Sequence, residues 1–188
     1  SEYKTAANTH CILYREEQAG FFAGYAAVKE GYTELGFVGG MAVPAVIRFG
    51  YGFVQGADVA AQELGIDVNV KYWYADSFSP SDDIKTKAAS WYTEGTQVIF
   101  SCGGGICTSI IAAAEEGGGK VIGVDSDQYY LSDVVITSAM KDLPNSVQLS
   151  LGALYDNGGV WPEDYAGATQ TLGAAENCVG LPTADHSW

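Results

Sequence analysis

Basic residues are scarce in this chain: 9 Lys and Arg stand against 23 Asp and Glu in 188 residues, for a formal net charge of -14. A protein that neutralises phosphates needs a cationic face, so the balance argues against nucleic acid as a partner. Histidine is scarcer still. His10 and His186 lie near the two ends, and no Ser-His-Asp triad, H-E-x-x-H or G-x-S-x-G pattern is assembled around either. The four cysteines are too few for a disulfide scaffold and include no C-x-x-C pair; Cys102 and Cys107 bracket a glycine run, where they either pair or serve as small buried thiols. No apolar run approaches the roughly 18 to 20 residues that a membrane span requires. No signal peptide or lipidation sequence opens the chain, which leaves two expectations, a cytoplasmic protein or one whose leader has been removed from this sequence.

What is present is apolar matter for a core. The 47% of apolar and 12% of aromatic residues fit one substantial core and hence one domain. The acid excess reads as a solubility feature.

Along the chain, short apolar runs alternate with helical periodicities. A run over His10 to Tyr14 is followed by a helix beginning in the acidic turn Glu16-Glu17, with Ala19, Phe22, Ala23 and Ala26 on one stripe, stopped by Gly31. Leu35 to Val38 reads as a buried strand entering Gly39-Gly40. Pro44 then opens the best-patterned helix, with Val46, Phe49, Phe53, Ala57, Ala60 and Leu64 spaced by three or four up to Gly65. Strands at Val68 to Tyr74, Val98 to Phe100, Lys120 to Val124 and Val134 to Ala139 alternate with helices over Ile84 to Tyr92, Ile106 to Glu116 and Pro144 to Tyr155. In the Gly- and Ala-rich last thirty residues Val179 to Leu181 is the only strand-like run. This alternation predicts βαβ units, hence a three-layer α/β/α sandwich with a mainly parallel sheet.

Open parallel sheets gather ligands beyond the carboxyl ends of their strands, which directs attention to Asp125 and Asp127. Two carboxylates there either accept hydrogen bonds from sugar hydroxyls or cap the following turn, and for Asp127 capping has the edge. A metal pair would need further ligands that the spacing does not supply. Lys141 ends the next strand and is placed to share that rim. Gly103-Gly104-Gly105 joins a strand to a helix start, so its amides either meet a polar ligand or make a tight turn. Gly39-Gly40 and Gly117 to Lys120 lack the spacing or context of phosphate loops. Phe49 belongs to a core stripe, yet its place early in the helix allows it to stack on a ring.

Taken together, Tyr14 to Ala27 (YREEQAGFFAGYAA), Gly36 to Gly40 with Pro44 and Phe49 to Phe53, Val98 to Phe100 with Gly103-Gly104, Val121 to Gln128 (VIGVDSDQ) and Thr137 to Lys141 (TSAMK) resemble the basic membrane protein family. These are PnrA-like substrate-binding lipoproteins of ABC transporters. The motifs run in family order over roughly residues 10 to 145. The resemblance implies one lobe of a periplasmic-binding-protein type I fold, which in the family closes as one of two lobes on a purine nucleoside. It implies residues 1–14 as an inter-lobe crossover or remnant of the first lobe, 15–157 as the ligand-binding lobe, and 158–188 as a tail that includes a further remnant. By position, Asp125 matches the ribose-binding acid with Asp127 beside it, Lys141 the rim lysine, Phe49 a base-stacking side chain, and Gly103 and Gly104 a loop contact. No catalysis, cofactor or metal is implied. The implied partners are a nucleoside and an ABC permease, on the extracellular face of the bacterial cytoplasmic membrane or in the periplasm, with a lipid anchor outside this chain. Two other readings stand beside it: a metal-dependent sugar- or nucleotide-processing enzyme using Asp125 and Asp127, and a ligand-sensing regulatory domain.

Overall fold

A computed structural model describes residues 5–184, so His186 lies outside the described residues. The chain runs β1 (Cys11–Tyr14), α1 (Glu16–Lys29), β2 (Glu34–Gly39), α2 (Pro44–Leu64), β3 (Asn69–Tyr74), α3 (Asp82–Thr93), β4 (Val98–Cys102), α4 (Ile106–Gly117), β5 (Lys120–Asp125), β6 (Val135–Lys141), α5 (Leu143–Asp156), β7 (Thr169–Leu172) and β8 (Val179–Gly180). Six strands form one sheet in the order β3-β2-β4-β5-β6-β8. All neighbours are parallel except β8, which pairs antiparallel with the end of β6. No helix among the described residues is long and apolar enough to cross a membrane.

The helices start and stop for local reasons. Pro44 occupies the first turn of α2, where its missing N–H costs nothing, and Gly65 closes that helix at φ +67. The Ser81 hydroxyl accepts from the Ile84 amide at 3.2 Å to cap α3, and the Asp142 carboxylate accepts from Asn145 at 2.9 Å to cap α5. One face of the sheet packs Phe37, Phe100, Ile122 and Val124 against α1 and α2. The other packs Val38, Ile99 and Val121 against α3 and α4. The expected three layers are therefore present.

Between α1 and α2 the packing is close enough to exclude side chains. A Cβ added at Gly20 or Gly24 would lie 2.1 or 2.0 Å from the carbonyl oxygens of Phe49 and Phe53, and one at Gly52 or Gly56 would lie 2.0 Å from those of Glu17 and Phe21. The glycines thus interlock at four-residue spacing on both helices. This corrects the stripe expected for α1. Its buried face is Glu16, Ala19, Gly20, Ala23, Gly24, Ala27 and Val28, while Phe22 is exposed, because two backbones in contact leave no room for a ring.

Two further differences concern the ends. β7 is a strand that alternation did not reveal, so Val179 to Leu181 is not the only strand-like run of the tail. β7 pairs with β1 in a parallel two-stranded sheet separate from the main one. All four cysteines are free. Burial pushes the Cys107 thiol up from 9.0 to about 11, and burial, reinforced by Asp125, raises Cys102 as well. Unfolded thiols ionise at lower pH than these native ones, so the unfolded state gains as pH rises through 9. The urea midpoint should accordingly fall above about pH 9, and Cys107→Ala should flatten that fall.

Candidate functional site

The strand order reverses between β2 and β4, which is where a doubly wound sheet opens a crevice at its carboxyl edge. Glycines make that crevice possible. The Gly40 amide donates to the Cys102 carbonyl at 2.9 Å, and a Cβ on Gly103 would come within 2.9 Å of Gly40. Gly104 holds φ +55, a conformation glycine adopts freely. The two turns can therefore lie side by side and leave space above them.

That space is a half-open cavity of about 280 Å³ lined by residues from five loops or strand ends. Gly103 and Gly104 form its floor, the first turn of α2 contributes Val43, Ala45 and Val46, the loop after β3 contributes Phe78, and Asp125 and Lys141 close the remaining side. Its size lies just under the roughly 300 Å³ at which sites for whole small molecules begin. A larger groove of about 590 Å³ runs beside the C-terminal half of α2, from Val54 to Val70. It sits at the amino ends of the strands, away from the glycine turns.

Asp125 is the last residue of β5 and has φ +66, a left-handed backbone that costs a residue with a Cβ roughly 1–2 kcal/mol. Its surroundings enforce the turn. Ser126 donates back to the Val124 carbonyl at 2.8 Å, the Gln128 side chain accepts from the Val124 amide at 2.8 Å, and the Gln128 amide donates to Ser138 Oγ at 2.9 Å. The strain aims the carboxylate into the cavity. Oδ1 is shielded from solvent without a hydrogen bond but faces Lys141 Nζ at 3.1 Å, and half of the side chain stays accessible.

Lys141 is held on several sides. Its ammonium lies 3.5 Å from Glu16 Oε1, 5.2 Å from the Phe49 ring centroid and 5.6 Å from that of Tyr14. Glu16 is 3% exposed, and its other oxygen accepts from Arg48 Nε at 2.7 Å. A buried carboxylate is tolerable only when such partners offset its lost hydration.

The sequence candidates are thus brought together unequally. Asp125, Lys141, Gly103, Gly104 and Phe49 all line the cavity. Phe49, however, is 2% exposed, sits edge-on to Phe100 at 6.0 Å and lies beneath the Lys141 ammonium, so it presents little free ring surface. Asp127 is not in the lining. Its Oδ1 accepts from the Tyr129 amide at 3.4 Å and from Ser138 Oγ at 3.5 Å, the contacts of a turn cap. Three residues escaped sequence reasoning. Phe78 is 42% exposed at the cavity, and the available signal was an aromatic in a loop just past a strand's carboxyl end. Glu16 and Arg48 had no such signal, since an acid in a helix's first turn is already explained by the helix dipole. Among the described residues no group of three or more His, Cys, Asp or Glu could hold a metal ion.

A parallel α/β/α lobe whose switch-point crevice presents an acid, a lysine and an aromatic has the build of one lobe of a periplasmic-binding-protein type I receptor. Solved structures agree on the fold: an ABC transporter solute-binding protein from Aeropyrum pernix K1 superposes with a TM-score of 0.74 at 23% identity, covering 91% of this chain and 49% of that one. The chain belongs to the family described as ABC transporter substrate-binding protein PnrA-like (Bmp), whose profile matches residues 1–187. It is 34% identical over 183 residues to basic membrane protein B of Borreliella burgdorferi, covering 95% of this chain and 52% of that protein. It is 31% identical over 167 residues to the ABC transporter nucleoside-binding protein BmpA of Lactococcus lactis subsp. cremoris, covering 79% and 46%. The chain therefore spans about half the length of these relatives.

Proposed function

We propose that this chain is the ligand-binding second lobe of an ABC-importer solute-binding protein and that its cavity takes one side of a nucleoside. The observation that carries the reading is Asp125. A carboxylate held by strained backbone at the sheet's switch point, steadied by Lys141 and half accessible, is built to accept two hydrogen bonds from vicinal hydroxyls. Gly103 and Gly104 allow a sugar close to the backbone. Phe78 offers an exposed ring to a base, while Phe49 supports Lys141 from below. The family membership and the nucleoside-binding name of the Lactococcus relative support the same ligand class.

Three features favour a second lobe with its partner elsewhere. The cavity is half open and small for a whole ligand. β1 and β7 form an isolated pair, and two strands alone are marginally stable, which supports reading 1–14 as a crossover or remnant of a first lobe and 158–188 as a tail that includes a further remnant. On α5, Ser146 and Ser150 are buried while Val147, Leu151 and Tyr155 are exposed, the reverse of a helix that packs only within this lobe. Closure of two lobes would bury the ligand and present a surface to the permease. In this reading the full-length protein works outside the cytoplasmic membrane on a lipid anchor, without catalysis. The metal-enzyme reading carries no observation of its own, since Asp125 pairs with a lysine rather than with further carboxylates.

Calorimetry of the full-length protein with inosine, guanosine and adenosine tests the reading. Saturable binding of at least one is expected, and Phe78→Ala should weaken it about 5- to 150-fold, the range of a base–aromatic stack worth roughly 1–3 kcal/mol. Absence of binding by all three would remove the nucleoside assignment.

A further inference from the structure

We infer that Glu16 is a positioning residue of this site, one that holds the Lys141 ammonium in place beside Asp125; the inference rests on the reading of Asp125 as the acceptor of ligand hydroxyls. Lys141 is the cation paired with Asp125, and an ammonium held from one side alone is free to swing on its four-carbon stem. Fixing the ammonium on Oδ1 leaves the accessible half of the carboxylate to a diol. Here the ammonium stands 3.1 Å from Asp125 Oδ1 in direct ion-pair contact. The pull from behind is Glu16, whose Oε1 lies 3.5 Å from the same ammonium.

Glu16 is itself fixed. Its burial at 3% exposure removes competing water, Arg48 Nε holds Oε2 at 2.7 Å, and Glu17 adds a second acid 4.0 Å from Arg48. The Tyr14 and Phe49 rings flank the ammonium at 5.6 and 5.2 Å and limit its swing. Glu16 opens α1 two residues after β1 ends, so the first turn after β1 reaches the acceptor through one lysine. A purely structural Glu16, clasping α1 to α2 through Arg48, would affect stability and leave Lys141 unmoved.

The test is Glu16→Gln, with Glu16→Asp as the conservative variant. The first readout is the ¹H–¹⁵N signal of the Lys141 ammonium in the 188-residue chain, which is visible only while the group is shielded and held. It should be present in the wild type, retained in Glu16→Asp and shifted or lost in Glu16→Gln. The second readout is inosine affinity of the full-length protein. It should fall about tenfold in Glu16→Gln, the equivalent of one hydrogen bond to a charged group, and should not fall further when the same change is made in a Lys141→Met background. An unchanged Lys141 signal in Glu16→Gln, or an equal loss of affinity with and without Lys141, overturns the inference. If the Gln variant does not fold, Arg48→Met removes the clamp on Glu16 and should shift or broaden the same signal; an unaltered signal there is likewise fatal. Should the wild-type protein bind no nucleoside, the ligand reading fails, and the ammonium signal still decides whether Glu16 holds Lys141.

Discussion

Asp125→Ala should weaken nucleoside binding by the full-length protein at least about 100-fold, because hydrogen bonds to a charged group are worth roughly 1.5–3 kcal/mol each and two are lost. The loss does not come from unfolding. The side chain is half accessible and its ion pair with Lys141 is correspondingly screened, while Glu16 remains as a second partner for the lysine. Asp125→Gly separates the two effects. It relieves the backbone at φ +66 and should be at least as stable as the wild type, yet bind as poorly as the alanine variant. A site residue that is locally strained and whose removal leaves the fold intact fits a carboxylate retained for its ligand.

Gly52→Ala should lower the melting temperature by roughly 6–12 °C, corresponding to about 3 kcal/mol for a domain of this size. Helix propensity alone predicts the opposite sign, since alanine is better than glycine in a helix interior by about 1 kcal/mol. Sterics decide. The new Cβ would lie 2.0 Å from the Glu17 carbonyl oxygen and 2.7 Å from its carbon, and backbone cannot rotate away as a side chain can. The helices must separate, which also draws Glu16 away from Arg48 and loosens Lys141. Gly152→Ala is the control: nothing lies within 4 Å of its added Cβ, so the propensity term acts alone and should stabilise slightly. Thermal unfolding of the two variants by circular dichroism checks both signs.

The parallel layers were legible because β2, β4 and β5 are buried on both faces and read as mostly apolar runs, with β2 ending at Gly39, β4 at Cys102 just before Gly103, and β5 at Asp125. The same abrupt ending exposed Asp125, and the next strand exposed Lys141. The stripe of α1 is not legible from apolarity, because a helix pressed onto another backbone buries glycine and alanine and turns Phe22 out. β7, with the sequence Thr-Gln-Thr-Leu and only Leu172 buried, has too few apolar residues for a period to show. Glu16 and Arg48 belong to the site only through contacts across the fold, since Glu16 meets Lys141 from the other side of the sequence. No local pattern records such a pair. Phe78 lay in a loop, where neither period applies.

The central claim is that a nucleoside sits at the carboxyl edge of β4, β5 and β6 on Asp125. A ¹H–¹⁵N NMR titration of this chain and its Asp125→Ala variant with inosine tests it most directly, and a single lobe, which supplies only part of the contacts, should bind weakly but saturably. The account predicts shifts concentrated at Phe78, Gly103, Gly104, Asp125 and Lys141 in the wild type and absent from the variant. Shifts centred instead on the groove from Val54 to Val70, shifts that survive Asp125→Ala, or none at saturating inosine would contradict it.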